Sequence, residues 1–455
     1  MKKNNALALI AILTVTLTVL LMVAIFALDR ETPAPTPTQP VTQPTTLPAE
    51  TEPTQPPTEP PVTKVGTATV YSVGDVLMHM SVVNTGYNAD TGEYDQFHRI
   101  FDYVTDYTTT ADLMVGNLET TLAGLDNGYQ YNGYPNFNCP DGIIDGMKAV
   151  GFDIVLTANN HSYDTRTKGF NRTTRTIAER GLDYLGTKMD ANEPDYIISD
   201  CNGIQIGLMC YTYETGTGNP NTVALNGISL TEADSKLVNT FNEKNLDAFY
   251  AEIEANIAQM KVKGAETVVL YLHWGWEYNL SPNTTQKNMA QELCDLGVDV
   301  IIGGHPHVVQ PIDLLTSTTD PNHKTVCLYS MGNAVSNQRL GNLSNVSTAH
   351  TEDGVMMRVT FAEYSDGTVI IESADVLPFW VWMHYDEDWN KLYQIMPLEG
   401  DPATWQTRFG VNDDVLQKLQ DSYDRTMAVM GNGLTEVVEY CTTNQQQVEA
   451  ALGVQ

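Results

Sequence analysis

The stretch VDVIIGGHPH, residues 298–307, sets the reading of the whole chain. Val298 to Ile302 is a short, nearly unbroken apolar run, the pattern of a strand buried on both faces. Two glycines follow, then His305-Pro306-His307. Such a strand delivers its last side chains at the carboxyl edge of a sheet, where α/β folds bind ligands. Alternate residues of an extended segment point the same way, so the His-x-His pair can turn two imidazoles to one place.

Four more apolar runs end in the same manner. YSVGD (71–75) ends in Asp75, and LMVGNLE (113–119) in Asn117 and Glu119. IVLTANNH (154–161) ends in Asn159, Asn160 and His161, and VVLYLHWG (268–275) carries His273. A lone His after a strand is more often a satisfied surface or core residue, and an Asp after Gly is usually a turn. Five such ends in one chain point to a metal site, with Asp75, Glu119, Asn160, His273, His305 and His307 as expected ligands. Imidazole, carboxylate and amide oxygen without thiolate suit manganese, iron or zinc. Two such ions about 3.5–4 Å apart can activate water and clamp a tetrahedral or pentacoordinate centre. His161, next to Asn160, is the expected catalytic residue, donating a proton to the leaving group or a hydrogen bond to developing charge.

Around these strands, helical patterns alternate with extended ones. DGIIDGMKAVG (141–151), 165–180, 247–261 and 286–296 have helical spacing, and FDIVLTANN (152–160) and TVCLYSMGN (325–333) read as strands. Residues 196–213 form an expected hairpin turning at Asn202-Gly203, and GVMMRVTF with TVIIESADVL forms another around 365–367. Strand–helix alternation predicts an α/β layered fold, and the hairpins predict mixed sheets. Residues 381–455 are acidic, with helical stretches near 415–430 and 434–440, and are read as a helical C-terminal extension to a domain covering 65–380.

Ahead of the folded part, Ala6 to Leu28 is uncharged and apolar over 23 residues. At about 1.5 Å per residue it can cross a roughly 30 Å hydrocarbon core. Lys2 and Lys3 before it place the N-terminus in the cytoplasm and the rest outside. Residues 1–30 are therefore read as a single-pass membrane anchor. A cleaved signal peptide is the alternative, carried by a weak Ala24/Ala27 pattern. Residues 31–64 are mostly Pro, Thr, Gln and Glu, a composition that cannot bury a core and extends as polyproline II. At about 3.1 Å per residue this linker can hold the domain up to about 100 Å from the membrane. Anchor and spacer together suit a bacterial cell membrane beneath a thick wall.

The formal net charge is −32, which argues against nucleic acid as a partner. The six cysteines are scattered, without metal-ligand spacing. Arg166, Lys168, Arg172, Arg175 and Arg180 cluster after His161, either as a basic groove or as a solvated helix face. Trp274 and Trp276 flank His273, either lining a groove or packing in the core.

The string GDVLMH, VGNLET, TANNHSYD, LHWGWEY, GGHPHVVQP and YSMGN, over roughly Thr67 to Asn333, resembles the CapA-type poly-gamma-glutamate capsule synthesis proteins, which are similar to calcineurin-like metallophosphoesterases. The resemblance implies a four-layer sandwich of two sheets flanked by helices. It implies Asn160, His273 and His305 at one metal and Asp75 and His307 at the other. The chain departs from the pattern at three points. Asn117 stands where the bridging carboxylate is expected, with Glu119 two residues on. The first motif lacks its His, and His79 is a candidate replacement. Ser162 follows His161, leaving Asp164 to orient it. Asn333 is a further candidate for the same pocket. The implied function is capsule synthesis or envelope-polymer processing outside the membrane by a metal-dependent hydrolase or transferase. The alternative is a non-catalytic accessory that binds nascent poly-gamma-glutamate or membrane-bound capsule synthase subunits.

Overall fold

The structure is a computed structural model and describes residues 61–216, 222–344 and 346–454. Its strands are β1 (Lys64–Val76), β2 (Leu113–Leu118), β3 (Ile154–Leu156), β4 (Asp183–Leu185), β5 (Tyr196–Cys201), β6 (Ile204–Tyr213), β7 (Ala224–Leu225), β8 (Ile228–Ser229) and β9 (Thr240–Phe241). They continue with β10 (Thr267–His273), β11 (Val300–Gly304), β12 (Val309–Thr316), β13 (Lys324–Met331), β14 (Asn333–Val335), β15 (Asp353–Tyr364), β16 (Val369–Tyr385) and β17 (Lys391–Pro397).

Two mixed sheets hold nearly all of them. One runs β17-β16-β15-β1-β2-β3-β4, with β14 beside β1, and the other β12-β13-β11-β10-β6-β5, with β9 beside β6. β1 to β4 are mutually parallel, as are β6, β10, β11 and β13, while β15 to β17, β5 and β12 run antiparallel to their neighbours. Strand side chains alternate between an inner and an outer face. Val269 and Tyr271 of β10 enter the core between the sheets, and Val268, Leu270 and Leu272 the core outside. Ser72 Oγ and Tyr271 OH, 2.8 Å apart, join the two sheets through that inner core. Both faces of the central strands are buried, which is why their sequences read as unbroken apolar runs.

Helices cover the outer faces. α1 (Gly142–Ala149) packs with a turn at Phe97–Phe101 on the first sheet, and α2 (Arg166–Glu179) follows the β3 loop. α3 (Leu246–Val262) and α4 (Thr284–Asp295) cover the second sheet. The expected α/β arrangement of two mixed sheets flanked by helices is what the chain forms. The hairpin at Asn202-Gly203 is also present, with φ of 55° and 99° at its two central residues, the left-handed pair that a tight hairpin turn uses. All six cysteines are free and buried.

The structure amends three details. The strand expected over 152–160 is only Ile154–Leu156, because the chain leaves the ladder after Leu156 and turns from Asn159 onward, which puts Asn159 to Asp164 in a loop. The stretch VVQPIDLL carries an unexpected strand, β12; it lies at a sheet edge, where Pro311 costs no ladder bond. The first sheet also continues past residue 380, since β16 runs to Tyr385 and β17 pairs with it. Beyond it lie α5 (Pro402–Phe409) and α6 (Asp413–Leu452), which breaks at Gly431 (φ 55°). α6 buries Met430, Val437 and Cys441 against the inner core and Leu419 against Trp380 and Trp405. No helix among the described residues is long and apolar enough to cross a membrane. The expected anchor over 1–30 and most of the 31–64 linker lie outside the described residues.

Candidate metal centre

Parallel strands that point the same way bring their polar ends together. Asp75, at the end of β1, is in register with Asn117 of β2 and with Asn333 of β14. His273 ends β10 beside Gly304 of β11. Asp75, Glu119, Asn160, His161, His273, His305 and His307 are all at most 5 % exposed. The loop after β11 places its two histidines at positive φ, 94° for His305 and 57° for His307. This backbone is uncommon for non-glycine residues and concentrates at functional sites. Gly304 allows the approach, since a Cβ there would lie 2.9 Å from Asp75 Oδ1.

The ligand-type groups form two halves. In one, His273 Nε2 lies 2.8 Å from Asn160 Oδ1. In the other, His307 Nδ1 lies 3.2 Å from Asp75 Oδ2 and 3.0 Å from Asn333 Oδ1. Glu119 stands between them, with Oε1 3.5 Å from His273 Nε2 and Oε2 3.9 Å from His307 Nδ1. Asn117 donates to Asp75 Oδ1 at 2.7 Å and accepts from Asn159 at 3.1 Å. It therefore braces Asp75, while the carboxylate that spans the halves is that of Glu119.

Three buried atoms test whether a cation fits. Both carboxylate oxygens of Glu119 and Nδ1 of His305 are fully buried without a hydrogen-bond partner. Leaving such groups unpaired costs about 1–3 kcal/mol each, more for a charge. Ligand atoms of Glu119, His305 and His307 lie within 4.8 Å of one another, a spacing that one ion can satisfy. The electrostatics agree. Burial works against a proton on His307, but Glu119 and Asp75 outweigh it and lift its pKa to about 9. Burial also pushes the Asp75 carboxyl up, yet the His307 bond and the charge of His273 bring it below the usual range. Burial, with His273 and His307 alongside, pushes His305 well down, so it stays neutral and able to ligate. A pocket whose carboxylates draw a proton onto a buried imidazole favours a cation.

His161 sits apart from this cluster on the turn after β3. Its Nδ1 lies 2.7 Å from Asp164 Oδ2, and Phe137 N–H donates to the same oxygen. Burial lowers the His161 pKa, but the Asp164 bond and charge more than offset it. With Nδ1 so engaged, Nε2 is the nitrogen left to bond a further group. His79 is not among the converging ligand atoms: its Nδ1 accepts from Asn337 N–H at 3.3 Å, and burial pushes its pKa down to about 4. Trp274 is fully buried and bonds Tyr329 O, whereas Trp276 is exposed. Of the basic cluster, Arg172 and Arg180 are tied to Asp141.

Sequence reading missed three neighbours of the site. Asn226, on the β7–β8 turn, donates to Asp164 Oδ1 at 2.9 Å and lies 3.3 Å from His161 Nδ1. Its Asn226-Gly227 pair signalled a turn, but nothing local reveals where the turn docks. Tyr213 lies parallel to His273 with ring centroids 6.4 Å apart, and Tyr278 lies 6.2 Å from His307.

Residues 69–338 match the family described as bacterial capsule synthesis protein PGA_cap. The Capsule biosynthesis protein CapA of Bacillus anthracis is 25 % identical over 315 residues, covering 68 % of this chain and 66 % of the relative. The PGA biosynthesis protein CapA of Bacillus subtilis (strain 168) is 28 % identical over 270 residues, 58 % of this chain and 62 % of the relative. The chain thus spans just under two thirds of the length of either relative. Among solved structures, the calcineurin-like phosphoesterase YfkN from Bacillus subtilis aligns with a TM-score of 0.37 and 13 % identity, covering 79 % of this chain and 97 % of that one.

Proposed function

The chain belongs to the bacterial capsule synthesis protein family PGA_cap, and from that premise we propose that it is a metal-dependent hydrolase or transferase working on an envelope polymer outside the cell membrane. One observation carries the reading: the unpartnered, fully buried Glu119 carboxylate between His273 and His307. A buried carboxylate that lacks hydrogen-bond donors is costly to keep, and such groups concentrate where a cation or a reaction uses them.

The proposed ligands are Asp75, Glu119, Asn160, His273, His305 and His307, with Asn117 and Asn333 holding Asp75 and His307 in place. Two divalent ions, of manganese, iron or zinc, suit that donor set. Bound there, they supply Lewis-acid polarisation of the scissile carbonyl or phosphoryl group and positive charge against the charge that develops. His161 does the proton work. Asp164 and Asn226 fix its ring, so Nε2 faces the substrate and delivers a proton to the departing amine or alkoxide. Burial of the site keeps bulk water from competing for that proton.

The polymer is a capsule component such as poly-gamma-glutamate, in keeping with relatives named for capsule and PGA biosynthesis. Capsule synthase subunits in the membrane are the corresponding partners, reached through the N-terminal anchor. The accessory reading keeps one specific support: Asn117 occupies the position of the expected bridging carboxylate and neutralises nothing. The test is incubation of the protein with manganese, iron or zinc and either poly-gamma-glutamate or a phosphodiester polymer. Chain shortening or transfer that is lost in His305→Ala and Glu119→Ala supports the enzyme. A protein that binds metal and changes neither polymer supports the accessory.

A further inference from the structure

Tyr278, in the loop after β10, has a backbone that its bulky side chain does not favour. Its φ is 63°, in the left-handed region where glycine, asparagine or aspartate usually sit. The loop is pinned on both sides of it. Tyr278 N–H donates at 2.7 Å to Pro306 O, between the two histidines of the β11 loop. The carbonyl of Asn279, the next residue, accepts at 2.8 Å from the fully buried Gln310. Trp274, where the loop begins, donates its N–H to Gly304 O. The loop after β10 is thus laid along the loop after β11, and the Tyr278 ring centroid lies 6.2 Å from that of His307. Backbone strain of this kind persists where the surrounding structure enforces it, and it clusters at functional sites.

The Tyr278 hydroxyl ends a chain of hydrogen bonds that starts at the centre. Asn333 Oδ1 lies 3.0 Å from His307 Nδ1, and Asn333 Nδ2 donates to Gln338 Oε1 at 3.0 Å. Gln338 Nε2 then donates to the Tyr278 oxygen at 3.2 Å. Asn333 and Gln338 are both buried, and their two amides give the chain one direction, with Tyr278 as its last acceptor. The hydroxyl's own hydrogen is left over, and no acceptor takes it among the described residues. Tyr278 is only half-buried, so that hydrogen is open to a group arriving at the centre. Burial, with the charges of Glu277 and Glu119, pushes the hydroxyl pKa above its ordinary value, so the group is a donor and not a phenolate. A tyrosine that only filled space or terminated Gln338 would need neither the left-handed backbone nor the spare hydrogen.

The geometry points to Tyr278 as a substrate-binding residue that donates its hydroxyl hydrogen to an oxygen of the reacting group, acyl or phosphoryl, beside His307. This adds a residue to the metal-dependent site proposed above and rests on that reading. A neutral donor serves either kind of oxygen and leaves charge compensation to the metal. The test is calorimetric titration of the full chain in detergent, wild type beside Tyr278→Phe, which removes the hydroxyl and keeps the ring. Each protein is titrated with manganese and then, loaded with manganese, with inorganic phosphate and with glutarate in separate runs. Phosphate stands for a phosphoryl group and glutarate for an acyl group. The loaded wild type is expected to bind at least one of them, and which one tells the two sources apart. Tyr278→Phe should bind that probe about tenfold or more weakly, the worth of a hydrogen bond to a charged oxygen, with manganese affinity unchanged. The inference is overturned if the loaded wild type binds neither probe or if Tyr278→Phe binds as tightly. It is also overturned if manganese affinity falls together with probe affinity, because Tyr278 would then be a support for His307. Each of those results, with manganese bound by the wild type, leaves the metal centre standing. A wild type that takes up no manganese overturns the metal reading and this inference together.

Discussion

Asn117 faces Asp75 across the paired strands β2 and β1 and donates a hydrogen bond of 2.7 Å to its Oδ1. The bond holds a buried carboxylate in place at a position where a second carboxylate would repel it. Asn117→Asp should therefore destabilise the metal-free protein by about 1–3 kcal/mol, the cost of an unsatisfied buried group. It should also bind divalent metal more tightly than the wild type, because a cation would then have both carboxylates. Thermal denaturation with and without manganese separates the effects. An equal loss of stability in both conditions would mean that Asn117 is only a packing residue.

Asp164 acts through His161 and does not touch the cluster of Glu119, His305 and His307. Asp164→Ala should leave metal content unchanged and lower turnover by about 10²-fold or more, the usual worth of a positioned proton donor. Asn226→Ala, which removes the 2.9 Å bond to Asp164, should lower it less. Metal analysis beside a rate measurement checks both, and a loss of bound metal in Asp164→Ala would contradict the separation of roles.

Asp112 ties three elements together. It accepts from Thr69 N–H and Oγ1 on β1 and from Asn202 Nδ2 at the β5–β6 turn. Burial is the largest single influence and raises its pKa, but these bonds together outweigh it and the carboxyl sits below the usual range. A carboxyl depressed in the folded state contributes stability above its unfolded pKa and loses it as pH falls through the folded value. The protein should therefore lose stability on acidification below about pH 4, and Asp112→Asn should be less stable at neutral pH with a shallower acid dependence. Urea denaturation across pH 2.5–7 reads this out, and parallel curves for the two proteins would refute it.

α6 is held to the sandwich by a buried ion pair and by a contact that only glycine permits. Arg425 makes two bonds to Asp353, which Ser422 also caps at 2.6 Å. Removing the partner of a buried charge costs about 3–5 kcal/mol, so Arg425→Ala should fall toward the low end because Ser422 remains. A Cβ on Gly433 would lie 1.8 Å from Ile312 O, so Gly433→Ala should lift the helix from β12. Proteolysis should then cut near residue 430 in the variant before the wild type. Equal resistance would show that the helix packs without that approach.

The parts of the fold set by local pattern could be read in advance. β10 and β11 announce themselves as apolar runs, and the Asn202-Gly203 turn as a hairpin. The strand ends could be read because side-chain chemistry changes abruptly where burial stops, as at Asp75, His273 and His305. β12 was hidden by Pro311, tolerated only because the strand is an edge. The packing of α6 was masked by its acidic composition, although Val437 and Cys441 fall at helical spacing on one face. Glu119 between His273 and His307, and Asn226 on Asp164, are meetings of segments far apart in sequence. No local signal encodes such distances.

The spanning position of Glu119 is the claim on which the account turns. Calorimetric titration of the metal-depleted protein with manganese or zinc, wild type against Glu119→Gln, tests it most directly. Glutamine keeps the shape and removes the charge. The account predicts that the wild type binds the ion and that Glu119→Gln binds it at least about tenfold more weakly with the fold intact. A wild type that takes up no transition metal under any loading condition, or a Glu119→Gln protein that binds as tightly, would contradict it.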